Sequence, residues 1–167
     1  MIRLCHSDEV KDCFSVINDA ASAYKGVIPS DCWHEPYMAL DHLKDEIKKG
    51  VNFWGFESGG ELLGIMGLQE SRDVTLIRHA YVKTACRNRG IGHQLLTFLL
   101  SKTEGPVLIG TWAAAEWAIR FYEKHGFHKV TDEEKNKLLR KYWIISTRQV
   151  ETSVVLADSK WFDLNRM

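Results

Sequence analysis

The segment "RNRGIGHQLL", Arg87 to Leu96, sets two glycines one residue apart where an apolar, helix-periodic run begins. Residues without a Cβ let a backbone approach a ligand closely and take the turn that aims successive N–H groups into one concavity. The unpaired N–H groups of a helix start, at the positive end of its dipole, attract an anion. Arg87 and Arg89 add cationic charge beside that concavity, so a phosphate or pyrophosphate is its natural guest. The same letters also suit a plainer purpose, in which Gly90 and Gly92 only start a helix packed tightly on a strand. A P-loop reading fails because His93-Gln94, not Lys-Ser/Thr, follows Gly92. A dinucleotide fingerprint does not fit either. Leu95 stands where its third glycine belongs, and the preceding strand is the fourth rather than the first.

The elements that must hold this segment are readable from periodicity. "IRLCH" reads as a first strand, with Ser7 as N-cap of a helix through "DEVKDCFSVINDAASAY". "SDCWHEPYMALDHLKDEIKKG" reads as a second helix whose Leu40, Leu43 and Ile47 share one face and which stops at Gly50. "VNFWGFE", "ELLGIMGLQE" and "VTLIRHAYV" form an antiparallel meander. After the glycines come the helix "GHQLLTFLLSKTEG", the strand "PVLIGTW", the helix "AAEWAIRFYEKHG", the strand "FHKVT", the helix "DEEKNKLLRKYW" and a last strand "ETSVVLAD". A meander followed by β-α-β units makes the class α+β, or mixed α/β, with a partly parallel sheet.

Composition narrows the partners. The 167 residues suit one domain, 1–167. Lys plus Arg, 22, equals Asp plus Glu, 22, so no global field favours nucleic acid or a membrane surface, and an anion must be held locally. No apolar run approaches the roughly 20 residues of a membrane span, and "MIRLCHSDEV" has no signal-like region, so a cytoplasmic protein is expected. Cys5, Cys13, Cys32 and Cys86 form no C-x-x-C pair, which argues for reduced thiols and against a metal site.

Arg87-Asn88-Arg89-Gly90-Ile91-Gly92 resembles the R/Q-x-x-G-x-G/A motif of the GNAT superfamily of acyl-CoA-dependent N-acetyltransferases. "AIRFYEKHGF", Ala118 to Phe127, is similar to that family's second signature, A-x-x-F-Y-x-K-x-G-F, and lies about 30 residues downstream, as the family requires. The resemblance covers nearly the whole chain and implies one domain with a mixed, centrally splayed sheet flanked by helices. It implies acetyl-CoA as co-substrate, no metal, and acetyl transfer to a primary amine of a small molecule, amino acid or peptide, directly within a ternary complex.

Carried onto these residues, the resemblance places the pyrophosphate on the backbone from Asn88 to His93, including Ile91, with Arg87 and Arg89 nearby. The pantetheine arm would pair with the backbone of Tyr81 and Val82, and the Val82 N–H would serve as oxyanion donor. Tyr122 matches the tyrosine that protonates the departing thiolate. With a reference pKa of about 10 against about 8.5 for a thiol, it keeps its proton at neutral pH. Ala115 stands where many members have a cofactor-contacting asparagine, and Trp117 or a backbone group would replace that contact. The fourth strand lacks the carboxylate that often serves as general base. His79, on that strand, and Glu70, at the end of the preceding one, are the candidates, with a structural histidine and a solvated carboxylate as the alternatives.

The acceptor pocket is expected from "YKGVIPSDCWHEPYM", with Tyr24, Trp33, His34, Glu35 and Tyr37, and from "RKYWIISTRQVE", with Tyr142, Trp143 and Arg148. Aromatic walls with one acid suit a cationic or ring-bearing amine, and equally suit a plug closing the sheet's end. No covalent acetyl-enzyme is needed, Cys86 being the residue to exclude. A different class, a non-catalytic acyl-CoA-binding sensor, stays open because the base is not evident. The resemblance also implies that two copies can form a homodimer, with "ETSVVLAD" as the free sheet edge that would pair.

Overall fold

Three successive apolar runs form the strands of the meander, β2 (Asn52–Ser58), β3 (Glu61–Ser71) and β4 (Val74–Val82), and they pair antiparallel in that order. The computed structural model describes residues 1–166 and extends this meander into a seven-stranded sheet. The other strands are β1 (Ile2–Leu4), β5 (Val107–Trp112), β6 (His128–Lys129) and β7 (Ser153–Ala157). The sheet order is β1-β2-β3-β4-β5-β7-β6, with β4 and β5 parallel and the other neighbours antiparallel. Strand alternation sends Ile77, Ile109 and Leu156 to one face, where they meet Leu95, Leu96 and Leu99 of α3 (Ile91–Ser101) and Ile119 and Tyr122 of α4 (Glu116–Lys124). The opposite face is covered by α1 (Val10–Ala20) and α2 (Leu40–Lys48), and farther along by α5 (Asp132–Tyr142), α6 (Thr147–Glu151) and α7 (Ser159–Leu164). Among the described residues no helix is long and apolar enough to cross a membrane.

Several expectations are corrected. The second helix spans only Leu40–Lys48, because Pro36 lacks the N–H a helix needs, and residues 30–32 form a separate 3₁₀ turn. Its buried face is not Leu40, Leu43 and Ile47. Leu43 and Glu46 are buried, while Ile47 is 40% exposed. The strand in "FHKVT" is reduced to His128–Lys129, and α6 and α7 were not foreseen. β7 is not an edge strand along its length, since it lies between β5 and β6, and the edge expected of "ETSVVLAD" is covered by residues 128–130 from Val155 to Ala157.

Glu46 explains the turned helix. Both of its carboxylate oxygens accept from the Arg78 guanidinium, at 3.0 and 3.1 Å, and Oε1 lies 3.3 Å from His79 Nε2. Consecutive residues of a regular strand point to opposite faces, so Arg78 and His79 could not both reach one carboxylate. β4 solves this with a bulge. His79 takes φ 55°, and the pairing steps from Gly67↔Arg78 to Ile65↔Tyr81, leaving two residues of β4 against one of β3. Burial opposes ionisation of Glu46, but the hydrogen bond with His79 and the charge of Arg78 outweigh it and hold its carboxyl at about 2. Glu46→Gln would leave the Arg78 charge buried without its counter-ion, and chemical denaturation at neutral pH should show a loss of about 3–5 kcal/mol. Because the folded-state value is depressed, the advantage over Glu46→Gln should be full above the ordinary carboxylate value near 4.3 and fade as pH falls through about 2. A pH-independent difference would contradict the ion-pair account.

Candidate active site

Beyond the bulge, β4 and β5 part. Their pairing is confined to Thr75↔Val107, Leu76↔Leu108 and Ile77↔Ile109, after which β5 continues against β7 and β4 runs on beside β3 alone. Lys83 N–H donates to Leu63 O at 2.8 Å, and the register continues through Gly64↔Val82 and Ile65↔Tyr81. Successive peptide groups point to opposite edges of a strand, so those of Tyr81 turn to β3, and those of Val82 turn into the gap. The gap opens on a cavity of about 460 Å³, bounded by the end of β4, the segment 86–93 and the first turns of α4.

The glycine segment builds the far wall of this cavity. Asn88 (φ 62°) and Gly90 (φ 78°) turn the chain back on itself, and α3 starts at Ile91. No side chain caps this helix, and the first helical bond is Gln94 N–H to Gly90 O at 3.0 Å. The amides of Ile91, Gly92 and His93 are thus left for a ligand. At Gly92 a Cβ would sit in ordinary contact with the Phe121 ring at 3.4 Å, so only a larger side chain would crowd this side of the cavity. These features fit a pyrophosphate, and the unpaired edge of β4 fits the amide-bearing arm of acetyl-CoA.

Of the expected contacts, Tyr81, Val82, Arg87, Asn88, Gly90, Ile91, Gly92, His93, Trp117 and Tyr122 all line the cavity. The Arg87 guanidinium is anchored on Ala20 O at 3.0 Å, while Arg89 is exposed and outside the lining. The Tyr81 backbone faces Ile65, so this residue borders the cavity through its ring. Trp117 stacks on Tyr24 with centroids 6.0 Å apart. His93 Nδ1 lies 2.7 Å from His125 Nε2, and His125 Nδ1 donates to Phe121 O at 2.8 Å, so the two imidazoles form a chain at the cradle's mouth. Tyr122 is 7% exposed, and burial alone pushes its hydroxyl above the usual phenol value, so it stays protonated at any ordinary pH. Cys86 is buried among the apolar residues beneath the loop.

A smaller cavity, about 100 Å³, shares Tyr24, Ile77, His79, Tyr81, Gly110 and Thr111 with the first. His79 therefore borders both. Burial lowers its pKa, with Glu46 pulling the other way, so the ring is neutral near pH 7. Nε2–H then donates to the Glu46 carboxylate and Nδ1 carries the lone pair. Glu70 is exposed, pairs with Thr75 at the end of the sheet where β4 and β5 are still joined, and lines neither cavity.

Sequence reasoning missed Glu46. Its only signal was a carboxylate three residues after Leu43, on the helix face that the core requires. The expected acceptor loops do converge. Arg148 binds Asp31 at 2.9 Å, Tyr24 and Tyr37 lie 5.2 Å apart, and Tyr37 accepts from Trp112 Nε1 at 2.7 Å. Tyr24, Tyr37 and Trp143 line the smaller cavity. His34 and Glu35 are exposed outside it, Glu35 beside Lys25 at 3.4 Å, and Tyr142 is turned to Asp73.

Comparison with known proteins agrees with this architecture. The PaiA N-acetyltransferase of Thermoplasma acidophilum, solved in complex with coenzyme A, superimposes with a TM-score of 0.69 at 17% identity, over 95% of this chain and 97% of that one. A ribosomal-protein-alanine N-acetyltransferase of Brucella melitensis gives 0.64 at 16% identity, over 95% and 98%. In sequence, the peptidyl-lysine N-acetyltransferase YiaC of Escherichia coli (strain K12) is 24% identical over 132 residues, 75% of this chain and 88% of that protein. The family model described as an acetyltransferase (GNAT) domain matches residues 17–141, a span that holds the glycine segment, Tyr122 and Glu46. The chain belongs to the GNAT acetyltransferase family and is an acetyl-CoA-dependent N-acetyltransferase.

Proposed function

We propose that this chain acetylates an amine by direct transfer from acetyl-CoA in a ternary complex, with the peptide groups of β4 and the side chains of Tyr122, His79 and Glu46 as its machinery. The observation that carries the reading is the parted edge of β4, where the Val82 N–H faces a cavity walled on one side by uncapped helix amides and on the other by Tyr122. Bound there, acetyl-CoA supplies a thioester open to attack by an amine.

In this reading Ile91, Gly92 and His93 donate their N–H groups to the pyrophosphate, with Arg87 and Asn88 at its side and Trp117 against the arm. The Val82 N–H takes the charge that gathers on the carbonyl oxygen during attack, a role that an amide fixed in a strand performs without reorganisation. His79 Nδ1 accepts the proton of the arriving ammonium, either directly or through water, and Glu46 positions the ring by holding Nε2–H. Tyr122 gives its proton to the departing thiolate as the C–S bond breaks, and the second proton shed by the attacking nitrogen as the adduct collapses to the amide restores the tyrosine. The acceptor enters through the smaller cavity, past Tyr24 and Tyr37, whose faces suit a cationic group. Two relatives are described by name as acting on peptidyl lysine and on a ribosomal-protein alanine, which supports a peptide amine as acceptor.

Mass detection of products after incubating acetyl-CoA with a panel of peptides and small amines tests this reading. Acetylated amine is expected. Acetyl-CoA that binds and raises the melting temperature, yet releases no CoA with any amine, would instead identify a sensor. Tyr122→Phe should lower kcat by roughly 10²-fold and leave the calorimetric Kd for acetyl-CoA unchanged, whereas an unaltered rate removes Tyr122 from the reaction. Gly90→Val, placed at φ 78°, should distort the cradle and weaken acetyl-CoA binding at least tenfold, about 1.4 kcal/mol. Because only neutral His79 accepts a proton, kcat/KM should fall below the imidazole pKa, and His79→Ala should abolish that acid limb while lowering the plateau by roughly 10²-fold.

A further inference from the structure

A third concavity, about 460 Å³, adjoins the acceptor cavity through Arg78 and Trp143, which line both. Its wall draws Lys49 from just past the end of α2, Arg72 from the β3–β4 turn, Arg78 from β4, and Arg140 and Lys141 from the end of α5. Against these five cations the wall holds one carboxylate, Glu46, which Arg78 and His79 already engage. Lys49 is paired with Asp45 at 2.8 Å, and Lys141 lies 5.0 Å over the Tyr142 ring. Asp73, next to Arg72 in the turn, accepts the Tyr142 hydroxyl. Arg72 and Arg140 are exposed and make no salt bridge among the described residues. In a chain with 22 basic and 22 acidic residues this concentration is local, and it is held against its own repulsion.

We infer that the cleft receives acidic side chains flanking the acetylated amine of a peptide acceptor. The inference rests on the acetyl-transfer reading and deepens it. The three concavities form one path. The first borders the second at His79 and Tyr81, and the second borders the cleft at Arg78 and Trp143. An amine seated at His79 therefore leaves the body of its carrier pointing toward Arg78, with Arg72 and Arg140 beyond. A cleft of this size exceeds what one carboxylate needs and suits a short run of chain. Guanidinium groups from two separate elements, the β3–β4 turn and α5, suit more than one carboxylate along an extended segment.

The test uses the full chain, acetyl-CoA and three lysine-containing peptides identical except for glutamate, glutamine or lysine flanks. The glutamate-flanked peptide should show a kcat/KM about tenfold above the glutamine-flanked one, carried by KM and diminished by salt. Arg72→Glu combined with Arg140→Glu, at two exposed positions outside the catalytic machinery, should erase that preference and favour the lysine-flanked peptide. It should leave the melting temperature, the KM for acetyl-CoA and turnover of a small uncharged amine unchanged. Equal rates for the three peptides overturn the inference, as does a small acidic amine acetylated when no peptide is. A variant whose defect lies in the KM for acetyl-CoA overturns it too, by giving the cleft to the co-substrate. If acetyl-CoA binds and no amine of any kind is acetylated, the acetyl-transfer reading falls, and the inference with it.

Discussion

The bulge in β4 is the constraint on which the site depends. It lets two consecutive residues, Arg78 and His79, reach the same buried carboxylate of Glu46, which a regular strand forbids. The same extra residue alters the course of β4, so that its pairing with β5 ends at Ile77. An internal strand of a mixed sheet is thereby given a free edge in the middle of the molecule. Left bare, buried peptide groups are costly, and here a ligand with amide groups of its own can satisfy them. The interaction that locks α2 onto the sheet and the opening proposed for the co-substrate are thus two consequences of one backbone irregularity.

The two halves of the proposed reaction draw on different faces of the sheet. On one face α3 and α4 supply uncapped amides and Tyr122, and neither needs a charged side chain to do its work. On the other face α2 and the aromatic loop supply Glu46 and the walls around the amine. His79 stands where the two meet, because the bulge turns its ring toward Glu46 while its position on β4 keeps it at the gap. Burial favours its neutral form, the form a base requires, and the Glu46 carboxylate opposes that shift by stabilising the imidazolium.

Much of the frame of the proposed cofactor site was legible in the sequence. Glycines at 90 and 92 with an apolar helix behind them state a local requirement that few other residues meet, and "AIRFYEKHGF" fixes the partner helix. The meander was legible because its strands are apolar, β-branched and aromatic runs separated by short polar or glycine-rich turns. What escaped notice depends on contacts distant in sequence. Glu46 looks like any surface carboxylate of a polar helix until Arg78 and His79, more than 30 residues away, arrive beside it. The bulge leaves little trace, since histidine is among the non-glycine residues that tolerate positive φ. The place of β7 between β5 and β6 was likewise invisible, because insertion order is set by how the layers close and not by the strand's own letters.

Hydrogen exchange at single amides tests the central claim most directly. In the free protein the amides of Ala80 and Val82 should exchange fast, while their neighbours Tyr81 and Lys83, bonded to β3, are protected. Saturating CoA should then protect Ala80 and Val82 together with Ile91, Gly92 and His93. Slow exchange at Val82 before any ligand is added, or no change there when CoA binds, would contradict the account of a strand parted to receive it.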